Sequence, residues 1–484
     1  MSASIEKEKT GNKPLPILNS NSDLNLNFFP FSPFCLALAR SLALSYPYSY
    51  SYSYPYPYSS RRDFTAGYAE GNSLFVNTHH SSPITHHAPA KRDAINQEQK
   101  QVTRDSVLAP TPSHLTPRAV ILCGELSGEV YAAGLARKLC EAGVEVYAVG
   151  GDRCRAAGAE IIRDYSDLSV VGITEVVENL GHLKNAMKQI ISRIRELHPD
   201  VLICIDFPDF NIRVARKVRK DVGKLIYFVP PQVWAWRRYR ARMLSQLFDR
   251  IFVLFPFEVP LFDNAEFCGH PLAEQVKPEI EEQEFLTRYG LPKSGKRVLF
   301  LPGSRKREYG TLSSVLVETA RRVHDRWADV SLMVLPSPSM PAEDKENLLS
   351  QLSKVVTIKP EHKYAAMAAA DLAVGASGTV TLECGLSGTP MAVLYRLNPV
   401  TTAVGMLAVV SRFISIPNVV LDEAVMAELV NRDCNPDEIL RYGELVLGEN
   451  DVAATFKLRL GELKQRLYRK DSFGRVAARI MELI

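Results

Sequence analysis

Two stretches decide the fold: Ala119-Val-Ile-Leu-Cys123 running into Gly124-Glu-Leu-Ser-Gly-Glu129, and Arg297-Val-Leu-Phe-Leu301 running into Pro302-Gly-Ser-Arg305. Each is a short apolar run that ends in a turn of small residues, the pattern of a strand buried on both faces. After the first turn, Tyr131, Leu135 and Leu139 recur at four-residue spacing, which predicts a helix with one apolar face. Gly143 closes that helix, and residues 144–149 supply the next strand, completing a βαβ unit. Further β-branched runs follow at 201–205, 225–229 and 251–255. After the second stretch the pattern restarts, with strands expected at 331–335, 355–358, 372–374 and 391–395. The charged, Pro- and Gly-bearing segment 277–296 between the two rounds reads as a connection. The expectation is an α/β protein of two Rossmann-like parallel-sheet domains facing a cleft, at 117–285 and 286–484, with helices at 452–484 able to pack on either domain.

Residues 1–116 belong to neither round. Between Tyr46 and Tyr58 every second residue is Tyr, separated by Ser or Pro, which is low complexity rather than a strand. From 24 to 62 there is no acidic residue, while Arg40, Arg61 and Arg62 are present. A Ser-rich, Arg-bearing, acid-poor segment has the composition of an organelle transit peptide, and mitochondrion is expected ahead of plastid. The apolar run at 28–44 is too short and too broken to span a bilayer.

Composition narrows the function. Over 484 residues, 46% are hydrophobic and 23% charged, enough apolar material for two cores. A net charge of +4 argues against a dedicated nucleic-acid binder, which carries a strongly basic face. The eight cysteines form no C-x-x-C pair and read as buried thiols of a reducing compartment. No D-x-D triplet, Walker loop, G-x-G-x-x-G or G-x-S-x-G occurs, so no metal site and no cofactor are expected, and hydrolase and dinucleotide readings lose support.

Four motifs lie where strands end. In Gly124-Glu-Leu-Ser-Gly-Glu129 the glycines allow close backbone approach, and the helix N-terminus attracts anions or sugar hydroxyls. Glu125, Ser127 and Gly128 are candidate substrate contacts there, although a plain strand-to-helix turn with Ser127 as N-cap fits the spacing equally well. Asp206, in Ile205-Asp-Phe-Pro-Asp-Phe-Asn211, follows a buried strand, where a carboxylate near apolar walls can remove a proton from a hydroxyl. Asp209 and Asn211 are candidate contacts beside it, Asp209 equally a capping residue. Pro302-Gly-Ser-Arg305 suits a diphosphate clamp, with Ser304 bonding phosphate and Arg305 offsetting developing charge. Ser377, Gly378 and Thr379 open a helix toward a phosphate, and Glu383 stands one turn on, placed to accept from ribose hydroxyls. A fifth segment, 230–242, sets Trp234 and Trp236 beside four arginines and fits either a lipid-facing patch or a core with a solvated basic face.

Taken in order, these motifs resemble those of the lipid-A-disaccharide synthase family, from about residue 117 to the end. Val170-Val-Gly-Ile-Thr-Glu175, Val233-Trp-Ala-Trp-Arg237, Phe255-Pro-Phe-Glu258 and Gly269-His-Pro271 complete the set. The resemblance implies the GT-B fold and metal-independent transfer of 2,3-diacylglucosamine from UDP-2,3-diacylglucosamine to the 6-hydroxyl of 2,3-diacylglucosamine 1-phosphate, giving a β-1,6 disaccharide and UDP. It implies Asp206 as base, Arg305 at the leaving diphosphate, and Ser377, Gly378, Thr379 and Glu383 around UDP. It also implies peripheral membrane association, because both substrates are acylated. Departures stand at Glu129, where an Asp is usual, at Pro231 and Gln232, and at 306–309. A different reaction on the same fold, such as UDP-sugar epimerisation, or a non-catalytic UDP-sugar or lipid-binding protein would share most of these features.

Overall fold

The computed structural model describes residues 116–168, 176–235, 239–352, 354–396, 411–448 and 451–484. The targeting-like extension, the 170–175 motif, Trp236–Arg238 and most of the apolar segment 400–416 lie outside the described residues.

Seven parallel strands form the first sheet: β1 (Arg118–Cys123), β2 (Glu145–Gly150), β3 (Glu160–Asp164), β4 (Val201–Ile205), β5 (Lys224–Phe228), β6 (Arg250–Val253) and β7 (Ala265–Phe267), in the order β3-β2-β1-β4-β5-β6-β7. Every residue of β4 is buried, as a central strand covered on both faces requires. The helix Leu126–Glu141 packs Leu135 and Leu139 into the core, each burial contributing roughly 1.5–3 kcal/mol before chain entropy is counted. Gly143 ends it at φ +83°, a left-handed conformation that glycine adopts without steric cost.

The second sheet is also parallel, with β8 (Lys296–Leu301), β9 (Val330–Val334), β10 (Val355–Thr357), β11 (Leu372–Ala376), β12 (Met391–Tyr395) and β13 (Ala427–Val430) in the order β10-β9-β8-β11-β12-β13. β3, β7 and β13 were not expected from the sequence. All three are edge strands, and their partly exposed sequences, such as Glu160-Ile-Ile-Arg-Asp164, lack the continuous apolar run that marks a central strand.

The terminal helices divide between the halves. Asp451–Leu467 packs on helices Thr379–Leu386, Ile416–Leu421 and Pro436–Leu447 of the second half, whereas Ser472–Met481 returns to pack on Leu126–Glu141 of the first. Gly134 makes that return possible, since a Cβ there would sit 2.4 Å from the Phe473 ring. The Glu274 carboxylate accepts hydrogen bonds from the Asp471 and Ser472 N–H groups (2.6 and 2.7 Å), holding the crossing chain to helix Pro271–Gln275. Helix Glu282–Tyr289 packs on helix Lys363–Ala369, so a cut at 285/286 passes through an element that rests on the second half.

Strand order fixes where a ligand goes. In each sheet the direction of winding reverses once, between β1 and β4 and between β8 and β11. Ligands of open parallel sheets bind beyond the strand carboxyl ends at such a reversal. The four strands flanking the two reversals are the ones that lead into Gly124, Asp206, Pro302 and Ser377.

Candidate active site

The register pairs Cys123 of β1 with Ile205 of β4, so Gly124 and Asp206 leave the first sheet side by side. Gly124 has a packing reason to be glycine, because a Cβ there would meet the Phe207 ring at 2.3 Å. Asp206 and Phe207 are both left-handed, at φ +49° and +44°, a strain of roughly 1–3 kcal/mol each for non-glycine residues. The neighbours hold this turn in place: the Asp206 carbonyl accepts from Asn211 Nδ2 (2.7 Å) and from the Tyr227 hydroxyl (2.9 Å). Asn211 Nδ2 also reaches the carbonyls of Ile205 (3.2 Å) and Leu122 (3.4 Å). Asn211 is 1% exposed, so it acts as a positioning residue for Asp206 and does not itself reach the cleft surface.

The Asp206 side chain is half-buried by area, yet its packing is dense enough that burial raises its pKa, against a smaller opposing effect of the Phe207 N–H. Glu125, also half-buried, is raised to about 7, first by burial and then by the Asp206 charge, with Arg305 pulling the other way. Arg305 belongs to the second half, so Glu125 feels charge from both halves of the chain. Gly128 is buried beside Asp206, where an added Cβ would make ordinary van der Waals contact with the Asp206 Cβ at 3.5 Å. The N-cap expectation for Ser127 does not hold. The helix starts at Leu126 with Glu125 as N-cap, and Ser127 is exposed within the first turn. Glu129 is buried and accepts from the N–H groups of Gly151 (2.9 Å) and Arg153 (3.0 Å), so that departure from the family pattern serves the neighbouring loop.

Asp209 sits in the first turn of helix Pro208–Val218, where its charge suits the helix dipole, and pairs with Arg240 at 2.8 Å. Trp234 packs edge-on to Phe257 (5.5 Å), while Tyr239 stands 72% exposed. Glu258 is buried and accepts from the Phe255 N–H (3.1 Å), its pKa pushed up to about 8 by burial. His270 is likewise buried, accepts from the Leu272 N–H (3.2 Å) and is held neutral, its pKa lowered to about 3. Both residues belong to the architecture rather than to the cleft.

On the opposite wall, Leu301 pairs with Gly375, where a Cβ would lie 2.2 Å from the Leu301 carbonyl oxygen. That contact brings the 302–305 and 377–379 loops together. Gly303 adopts φ +101°, and the Ser304 and Arg305 N–H groups point to one carboxylate, Glu308 (3.0 and 3.2 Å). Ser339 Oγ donates to the Ser304 carbonyl (2.9 Å) and steadies the loop. Ser377 commits its N–H to the Leu394 carbonyl (3.2 Å), while Gly378 at φ +147° opens onto empty space beside exposed Thr379. Glu383 pairs with Lys363 (2.7 Å) and accepts from the Tyr364 hydroxyl (3.3 Å). Sequence reasoning missed Tyr227, Glu308, Ser339, Lys363 and Tyr364. Only Glu308 carried a local signal, the acid three residues after an N-cap.

The profile of lipid-A-disaccharide synthetase matches residues 119–472. The chain belongs to that family. The lipid-A-disaccharide synthase of Geobacter sulfurreducens is 35% identical over 373 residues, covering 76% of this chain and 97% of its own length. That of Nitrosococcus oceani is 34% identical over 357 residues, covering 72% and 92%. Among solved structures, an S. aureus MnaA–UDP co-structure and CalG4, the calicheamicin glycosyltransferase, each superpose with a TM-score of 0.52. They share 12% and 13% identity, and each comparison covers 76% of this chain and 98% of the other. At that identity the likeness concerns the fold, which is GT-B, and the family's enzymes are glycosyltransferases. No helix among the described residues is long and apolar enough to cross a membrane.

Proposed function

We infer that the chain joins two acylated glucosamines. It transfers 2,3-diacylglucosamine from its UDP carrier to the 6-hydroxyl of 2,3-diacylglucosamine 1-phosphate, forming the β-1,6-linked disaccharide and UDP in lipid A biosynthesis. What supports the residue assignment is the placement of Glu125, Asp206 and Arg305 just beyond strands that flank the two winding reversals, with Glu125 feeling both other charges. Asp206 takes the proton of the acceptor 6-hydroxyl as its oxygen attacks the anomeric carbon. The bond from that carbon to the diphosphate oxygen breaks on the opposite face, and UDP leaves with the electron pair. Burial makes the Asp206 carboxylate a stronger base than a solvated one. Arg305 and the loop of Ser304 offset the charge gathering on the diphosphate. Ser377, Gly378, Thr379 and Glu383 hold the nucleotide, Glu383 at the ribose, while Glu125, Ser127 and Asp209 line the acceptor side. No metal or cofactor is needed for this displacement.

Two further assignments complete this reading. The enzyme works at a membrane surface, because both substrates carry acyl chains and the 230–242 segment pairs tryptophan with arginine. It is directed to the mitochondrion, with the plastid as the alternative, by the acid-poor, Arg-bearing extension.

The test is the full chain incubated with both acylated substrates and read by mass spectrometry for disaccharide and UDP. Asp206→Asn, folded as judged by circular dichroism, should lose roughly 100-fold or more in turnover, the range general-base removal produces. UDP release without disaccharide, or an Asp206→Asn variant near wild-type turnover, overturns the mechanism.

A further inference from the structure

Glu308 has no part in the transfer just described, yet its carboxylate occupies the diphosphate loop. One oxygen, Oε2, accepts from the N–H groups of Ser304 (3.0 Å) and Arg305 (3.2 Å), and Oε1 lies 3.4 Å from the Arg305 guanidinium. Those are the donors a phosphate oxygen would use at this helix N-terminus. The helix behind them, Lys306–Arg326, has 21 residues, so its positive end is fully developed. Gly303 leaves room for the carboxylate, because a Cβ there would lie 2.8 Å from Glu308 Oε2 and from its Cβ. Ser339 holds the Ser304 carbonyl from behind, which restrains the peptide that carries the Arg305 N–H. The Glu308 side chain is 23% exposed, which gives it a way out to solvent.

We propose that Glu308 is a built-in competitor for the leaving diphosphate: it holds the Ser304 and Arg305 donors when the site is empty, yields them to UDP, and reclaims them to speed product release. The proposal rests on the UDP-site assignment above. The two backbone N–H groups each serve one acceptor at a time, so a diphosphate takes them only in the fraction of molecules whose Glu308 has swung out. Apparent affinity falls by that fraction. Uridine lacks the phosphates and does not compete for these donors.

The experiment measures UDP, pyrophosphate and uridine binding to the full chain by calorimetry, with UDP release followed by stopped flow, for wild type and Glu308→Gln. The glutamine keeps an acceptor for the helix cap and removes the charge. UDP and pyrophosphate should bind about tenfold tighter to Glu308→Gln, UDP should leave correspondingly more slowly, and uridine affinity should be unchanged. Glu308→Asp, whose carboxylate falls short of the two N–H groups, should shift UDP affinity in the same direction and guards against a glutamine-specific effect. If wild type binds UDP and Glu308→Gln binds it equally or more weakly, competition is refuted and the nucleotide site stands. Tightening that extends equally to uridine also refutes it, since the effect would then not be at the phosphates. If neither protein binds UDP or pyrophosphate, the site assignment and the proposal fall together.

Discussion

Replacing Glu125 with glutamine should stabilise the folded chain, and only at neutral to alkaline pH. Glu125 ordinarily titrates near 4.5, and in the folded site it is raised to about 7 by burial and by Asp206. The sign follows from which state binds the proton more tightly. Below about pH 4.5 Glu125 is protonated in both folded and unfolded chains and adds nothing either way. As pH rises toward 7 the unfolded chain ionises first and the folded state loses ground, and above about 7 the full difference applies. At about 1.36 kcal/mol per pH unit, the interval from 4.5 to about 7 corresponds to roughly 3 kcal/mol, which solvent screening at a half-buried site trims to roughly 2. Glu125→Gln keeps the shape and removes the ionisation. Urea unfolding of both proteins should therefore give coincident midpoints near pH 4.5, and a variant more stable by about 2 kcal/mol near pH 8. A gap of constant size across that range, or one that favours the wild type at high pH, would refute the claim that Asp206 and burial together hold Glu125 protonated.

Three further outcomes are expected. Asn211→Ala leaves the Asp206 carbonyl without its 2.7 Å donor and should cost about 1–3 kcal/mol in urea unfolding, with turnover falling more than donor KM changes. Lys363→Met strips Glu383 of its 2.7 Å partner at a side chain only 12% exposed, and should raise the KM for the UDP donor by about tenfold while leaving acceptor KM near wild type. A fluorescent protein fused behind residues 1–116 should colocalise with a mitochondrial marker in plant cells. Plastid localisation would select the alternative, and a diffuse cytosolic signal would remove the targeting role.

The sequence by itself determined the strand runs and the turns that follow them. Val201–Ile205 and Met391–Tyr395 are buried central strands whose apolar continuity has no other reading, and their limits agree with expectation to the residue. The places of Asp206, Arg305 and the Ser377 turn just beyond strand ends were legible because each follows such a run. Family membership was legible too, through the order of the motifs along the chain. What needed tertiary structure was every relation between residues far apart. Asn211 looks like a polar contact in the motif, but burial makes it the prop beneath Asp206. Lys363 lies 20 positions from the Glu383 it neutralises, and no local spacing announces the pair. The edge strands β3, β7 and β13 gain their hydrogen bonds from a neighbour rather than from their own hydrophobicity, so their sequences stay silent. The last helix crosses back to the first half where Gly134 leaves space for the Phe473 ring, a fit between residues more than 300 positions apart. Local pattern records which backbone each segment prefers. Which charges come together beyond the strand ends is set by the winding of the two sheets, and that placement, with burial, is what raises Glu125 and brings the Arg305 charge to bear on it.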